Sequence, residues 1–360
     1  MSASAAPTRY DVDRAQLGEM LAGTPRYRLD QVWSGLYEHY TEPDEWTNLP
    51  KPLRAELAVV LPSALTPVTE SVNDRGDTIK FLWELEGGSR VETVLMLYRD
   101  RATVCISSQA GCAMACGFCA TGQAGFTRHL TTGEIVEQVV RASRRARALD
   151  RRVSNVVYMG MGEPMANEAT VWSSVERLHA DIGLSARHIT ISTVGIIPGI
   201  RKLAERPLPV NLAVSLHAAN DRLRDELVPI NKRYPIEDLM KACNDYLVAR
   251  HRRVSFEWAM IDGVNDRDSD ATELAALCRR LRPHAHVNLI PLNPTPGYPT
   301  RGSSLKRVHQ FRDQLEALGA NATVRQNRGT DIDAACGQLA AGQPVSVKLS
   351  RQQPAASTDG

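Results

Sequence analysis

From about residue 102 onward, short apolar runs alternate with longer amphipathic stretches. The runs at 103–107, 155–159, 188–193, 209–216, 253–261 and 286–292 read as strands. The stretches at 132–149, 170–183, 198–206, 236–251, 269–281 and 304–318 repeat apolar residues at helical spacing. The strands are apolar at most positions, as expected when both faces of a sheet are covered. Six strand–helix units in series predict a parallel sheet. Six are too few to close an eight-unit barrel, so the expectation is an α/β fold built on an open, partial (β/α)6 barrel, with a last short strand at 322–326.

The first third of the chain follows a different pattern. Leu29, Val32, Trp33, Leu36 and Tyr37 share one helical face within 27–40; a proline-containing break at 48–52 interrupts the pattern, and 53–61 resumes it. Two β-like runs follow, 78–86 and 91–98, and the turn Arg99-Asp100-Arg101 joins the second to 102–109 as a hairpin. The expected organisation is a small N-terminal helical domain at 8–65, a β-hairpin extension at 66–101, the barrel at 102–345 and a polar, disordered tail at 346–360.

Composition removes several classes. No apolar run reaches the 18 residues a membrane span needs, and the N-terminus lacks the apolar segment of a secretory signal. Seven cysteines, an odd number with three clustered, do not form a disulfide framework, so a reducing cytoplasm is the expected location. The net charge of +2 neither requires nor forbids nucleic acid. Arg141, Arg144, Arg145, Arg147, Arg151 and Arg152 crowd one helix end, either as a solvated face or as a phosphate-binding patch.

The candidate chemistry begins with Cys112, Cys116 and Cys119, spaced C-x3-C-x2-C immediately after the first barrel strand. Thiolates suit iron–sulfur clusters and zinc. Three are one short of the four that normally hold a 4Fe-4S cluster, which would leave one iron open to a ligand. The rival is a zinc site completed by His129. Chemistry in β/α barrels sits in the loops after the strands, and the other strand ends are unusual. They read Gly160-Met161-Gly162-Glu163-Pro164, Ser192-Thr193-Val194-Gly195, Ser215-Leu216-His217 and Pro291-Leu292-Asn293-Pro294. Glycines there admit a ligand close to the backbone, and Glu163 is placed to accept from an ammonium. Cys243 and Cys278 lie on helical faces and read as small buried hydrophobes.

The cysteine spacing, with Phe118 before the last cysteine, resembles the radical S-adenosylmethionine (SAM) superfamily. The stretch SSQAGCAMACGFCATGQAGFTRHL, then MGMGEP, STVG, SLHA, VPINKRYP and RGTDIDAACGQLA, is similar to the radical-SAM adenine-C2 methyltransferases of ribosomal and transfer RNA, from about Tyr27 to Gly342. The resemblance implies a radical-SAM type barrel and one 4Fe-4S cluster on the three cysteines. It implies two SAM molecules per turnover, contacted by Gly162, Glu163, Ser192, Ser215, Leu216, His217 and Asn293. It makes Cys336 the S-methylcysteine intermediate, Cys105 the resolving thiol that ends in a disulfide with it, and Glu92 the proton acceptor. It implies 23S rRNA and tRNA as substrates, a flavodoxin or ferredoxin as electron donor, no membrane partner and a monomer. Adenine C8 as the target carbon, and a metal-stabilised RNA-binding module with no catalysis, remain open alternatives.

Overall fold

The computed structural model describes residues 7–281, 285–295 and 298–341; the tail expected at 346–360 lies outside them. Helices α1 (Arg14–Met20), α2 (Tyr27–Ser34) and α3 (Lys51–Val60) fill the N-terminal part. The Asp13 side chain caps α1 by accepting from the Gln16 N–H. α2 continues as a wider turn over Gly35–His39 and stops at Tyr40, whose φ is +58°.

Strands β1 (Thr66–Val72), β2 (Thr78–Glu84), β3 (Arg90–Leu97) and β4 (Ala102–Cys105) pair antiparallel in succession. The predicted hairpin is present, with Val94 opposite Cys105 and Leu97 opposite Ala102. β1 escapes sequence reading because it is an edge strand with nearly every position exposed, so it carries no apolar face. A small ribbon, β5 (Gln109–Gly111) with β6 (Phe126–His129), encloses the cysteine loop and the one-turn α4 (Ala120–Ala124).

The barrel units then follow in chain order. They are α5 (Thr132–Arg147), β7 (Val153–Tyr158), α6 (Glu168–Ala180), β8 (Ile189–Thr193), α7 (Ile197–Glu205), β9 (Asn211–Ser215), α8 (Asp221–Leu227), α9 (Ile236–Arg250), β10 (Val254–Met260), α10 (Asp268–Arg280), β11 (Ala285–Pro291), α11 (Leu305–Ala317) and β12 (Ala322–Val324). One ten-stranded sheet runs β1-β2-β3-β4-β7-β8-β9-β10-β11-β12 and is parallel from β4 onward. Its two edges do not meet, so the barrel is open, and β4 joins the antiparallel extension to the parallel part.

The N-terminal helices do not have a core of their own. Leu17, Val32, Trp33 and Leu57 belong to the same hydrophobic cluster as Ile135, Leu212 and Phe256 of the barrel. The arginines of α5 contribute to this docking. Arg141 pairs with Glu42 at 2.7 Å and with buried Glu137 at 2.9 Å. Arg144 pairs with Glu45 through both nitrogens, and Arg145 pairs with Glu70 at 2.9 Å. Arg147 donates to the Glu38 carbonyl and lies 4.1 Å over the Tyr40 ring. Each of these four arginines is thus engaged by a partner within the molecule.

Candidate active site

A cavity of about 450 Å³ occupies the barrel interior at the C-terminal strand ends. The three cysteines reach it from the loop between β5 and α4. That loop is held shut where the Cys112 N–H donates to the Gly125 carbonyl at 2.7 Å. Gly111 is required opposite it: its φ is +73°, and a Cβ would fall 2.0 Å from the Gly125 oxygen. Burial pushes the Cys112 thiol up to about 12 and raises Cys116 as well, the latter also through its neighbours Cys119 and Cys112. Cationic iron would remove that penalty by holding the thiolates. Phe118 packs edge-on against His217, with ring centroids 4.7 Å apart.

Among the described residues, no three Cys, His, Asp or Glu side chains converge tightly enough to share a single metal ion. The ligands of one zinc all lie about 2.0–2.3 Å from it. In a 4Fe-4S cluster each thiolate takes its own iron, so the three sulfurs need not meet at one point. His129, the proposed fourth zinc ligand, is instead paired through Nδ1 with Gln109 Nε2 at 3.0 Å. Three thiolates on one loop beside the cavity are the donor set of a 4Fe-4S cluster with one iron left open.

Gly162, Glu163, Ser192, Ser215, His217 and Asn293 all line this cavity. Gly162 has φ +99°, and a Cβ would fall 2.5 Å from Gln109, so its first role is to let β7's end pass the Gln109 side chain. Glu163 is tied to the scaffold: its carboxylate accepts from the Met165 N–H at 2.9 Å and the Val194 N–H at 2.8 Å, and burial pushes it up to about 7. His217 has φ +58°; Nδ1 accepts from the Ala259 N–H, and burial holds the ring down at about 3, so it is neutral. Leu216 is fully buried in the core and does not reach the cavity with its side chain.

Cys105, at the end of β4, and Cys336 open onto the same cavity, Cys105 buried and Cys336 exposed. The Cys336 segment is pinned on several sides. The Ala120 N–H donates to the Gly337 carbonyl at 2.7 Å, Thr121 Oγ1 donates to the Leu339 carbonyl, and Asn293 Nδ2 donates to the Cys336 carbonyl at 3.1 Å. Glu92 is buried on β3 but does not line the cavity. Its carboxylate pairs with Lys80 at 3.0 Å and accepts from the N–H groups of Ala340 at 2.9 Å and Ala341 at 3.1 Å.

The Radical SAM superfamily model matches residues 106–275. A "probable dual-specificity RNA methyltransferase RlmN" of Chloroflexus aurantiacus is 47% identical over 98% of this chain and 97% of its own length. A protein of the same description from Salinispora tropica is 50% identical, over 89% of each chain. The chain belongs to this family of radical SAM RNA methyltransferases. The crystal structure of a radical SAM methyltransferase from Sphaerobacter thermophilus is 52% identical and superposes with a TM-score of 0.89 over 93% of this chain and 99% of its own.

As a member of this family the protein works with a 4Fe-4S cluster on three cysteines and with SAM. Residues that the sequence reading passed over also build the site. Arg224, fully buried on α8, donates to the carbonyls of Leu216 at 3.1 Å, Val194 at 2.6 Å and Ser215 at 3.3 Å, and to Asn231 Oδ1 at 2.7 Å. It ties two strand ends together. Its only sequence signal was that Asn231 lies in the VPINKRYP motif. Glu257 and Arg325 also line the cavity, and no spacing announced them.

Proposed function

We propose that this protein methylates C2 of an adenine in RNA, in 23S rRNA and in tRNA, with Cys336 carrying the methyl group. The observation that carries this reading is the pair Cys105 and Cys336, which open onto the cavity lined by Cys112, Cys116 and Cys119. C2 of adenine lies between two ring nitrogens and is too electron-poor to attack the methyl of SAM, whereas a thiolate attacks it readily. Cys336 takes that methyl by displacement. The cluster, when bound, supplies the electron that splits a second SAM into methionine and a 5′-deoxyadenosyl radical.

The 5′-deoxyadenosyl radical takes a hydrogen atom from S-methyl-Cys336, giving 5′-deoxyadenosine and a carbon radical that adds to C2. A base removes the C2 proton, and the Cys105 thiolate attacks the Cys336 sulfur so that the S–S bond forms as the C–S bond breaks. The surplus electron returns to the cluster that supplied the first one, and the freed carbon takes up a proton to become the methyl group. The exposure of Cys336 suits a group that must visit both SAM and RNA, and the hydrogen bonds that pin its segment would have to yield for it to do so. Glu92 is the proposed proton acceptor. Its contacts to Ala340 and Ala341 couple it to that segment, so its carboxylate becomes available as the segment moves.

Asn293 and Glu163 orient the loops around SAM, and Ser192 and Ser215 offer hydroxyls to it. The relatives' description as dual-specificity RNA methyltransferases supports an RNA substrate. The protein is proposed to act in the cytoplasm as a monomer, with a flavodoxin or ferredoxin as electron donor. The test is anaerobic reconstitution with iron and sulfide, incubation with SAM, a reductant and RNA, and chromatographic separation of 2- from 8-methyladenosine. The expected products are 2-methyladenosine and 5′-deoxyadenosine; 8-methyladenosine alone would refute the target carbon.

A further inference from the structure

Glu257 has no part in the scheme above, yet its surroundings are unusual. It lies on β10 opposite Ser215 of β9 and Asn288 of β11, and only 4% of its surface is exposed. Oε1 accepts from Asn288 Nδ2 at 2.7 Å. Oε2 has no close hydrogen bond among the described residues and is held by an ion pair with Arg325, whose Nη2 stands 3.6 Å away. A buried carboxylate oxygen with only this long contact has capacity left for a further donor. Both side chains line the cavity that holds Cys105 and Cys336.

Arg325 lies one residue past β12, anchored by its N–H on the Leu289 carbonyl at 2.8 Å. Residues 324–328 form a wall common to this cavity and to a surface groove of about 1080 Å³ between the ends of β12 and α11. Arg325 therefore stands between the surface groove and the cavity, partly exposed, with Glu257 buried behind it.

An acceptor beside a donor complements the edge of adenine formed by N6 and N7, where an N–H donor adjoins a ring-nitrogen acceptor. That edge lies away from C2. Enzymes that act on extruded bases read them through such edges. We propose that Glu257 and Arg325 select the target adenine, Glu257 Oε2 accepting from the N6 amino group and Arg325 donating to N7. Guanine and hypoxanthine would turn an oxygen toward the carboxylate and be rejected. The proposal rests on the RNA methyltransferase reading. The adenine of SAM carries the same edge, so the experiment has an arm for each source.

Substrate RNAs carrying adenosine, purine riboside (no N6 amino group) or 7-deazaadenosine (no N7) at the target position are compared. Equilibrium binding and methyl transfer are measured for reconstituted wild-type, Glu257→Met and Arg325→Met proteins, with SAM affinity measured separately. The wild-type protein should prefer adenosine to either analogue by about tenfold or more, the discrimination expected of a bidentate base contact. Glu257→Met should abolish the preference over purine riboside, and Arg325→Met the preference over 7-deazaadenosine, with SAM affinity unchanged in both.

Arg325→Met leaves the buried Glu257 without its cation, so both variants are checked for native circular dichroism, and the wild-type comparison needs no variant. Wild-type protein that methylates adenosine RNA but treats the analogues equally overturns the inference alone. So do variants that lose SAM affinity yet keep the adenosine preference, which would assign the pair to the cofactor. Wild-type protein that forms no methyladenosine in any RNA overturns the functional reading and the inference together.

Discussion

Cys105 and Cys336 reach one cavity from a sheet strand and from a late loop, and the roles proposed for them can be separated by experiment. Burial raises the Cys105 thiol above the ordinary range; it raises Cys336 as well, but there the Arg325 guanidinium pulls the other way and the residue is exposed. The thiolate is the attacking species. Cys105→Ala should therefore still load methyl on Cys336 and still join protein to RNA, but leave the adduct unresolved; a nuclease-sensitive shifted band on a denaturing gel checks this. Methylated RNA released at the wild-type rate would reduce Cys105 to a packed core thiol. Because the Cys105 pKa is raised, its thiolate fraction grows as pH rises. In the wild type, the breakdown of the adduct, followed by single-turnover quench, should accelerate with pH between roughly 7 and 9, approaching about tenfold per unit. Both cysteines were legible through the motifs around them. Glu257, Arg325 and Arg224 were not, because each owes its meaning to partners far away in sequence, such as Ser215 and Asn288 across the sheet from Glu257.

At the level of elements, the barrel strands and most helices were visible because each carries an apolar face, and their bounds differ from expectation by only a few residues. α8 (DRLRDEL) was missed because its short, highly charged sequence shows almost no apolar periodicity; what fixes it is the Arg224 side chain reaching the strand-end carbonyls. The α5 arginines show the reverse case, a charge run whose purpose depended on the helices docked against it. Arg141→Ala should cost about 3 kcal/mol in a denaturant melt, because it leaves the buried Glu137 carboxylate without its cation. Arg144→Ala breaks an exposed pair and should cost less than about 1 kcal/mol. The same Arg144 variant, and Arg145→Ala, should leave RNA affinity and its salt slope nearly unchanged. A slope reduced by about one per arginine would restore the phosphate-patch reading.

For the whole molecule, the open sheet matters because it leaves a cavity of about 450 Å³ onto which Cys105, Cys336 and the strand ends open, with the loop of three cysteines beside it. The main hydrophobic cluster runs from Tyr10 to Ala341 and contains none of the three cluster cysteines. Cys116 belongs instead to a small separate cluster with Phe118, Leu223 and Ile261. Small zinc domains unfold without their metal because the metal supplies their folding energy; here the core is complete without it. Chelated apoprotein should therefore keep its far-UV circular dichroism and melt in a single cooperative transition. Reconstitution should add the visible absorbance of the cluster and raise the melting temperature by ligand linkage. Cys116→Ala should behave like apoprotein under all conditions, with no cluster absorbance and no 5′-deoxyadenosine from SAM. Apoprotein that loses its helical signal on chelation would show that the cysteine loop is part of the folding core, and that the separation of scaffold from chemistry drawn from these two clusters is mistaken.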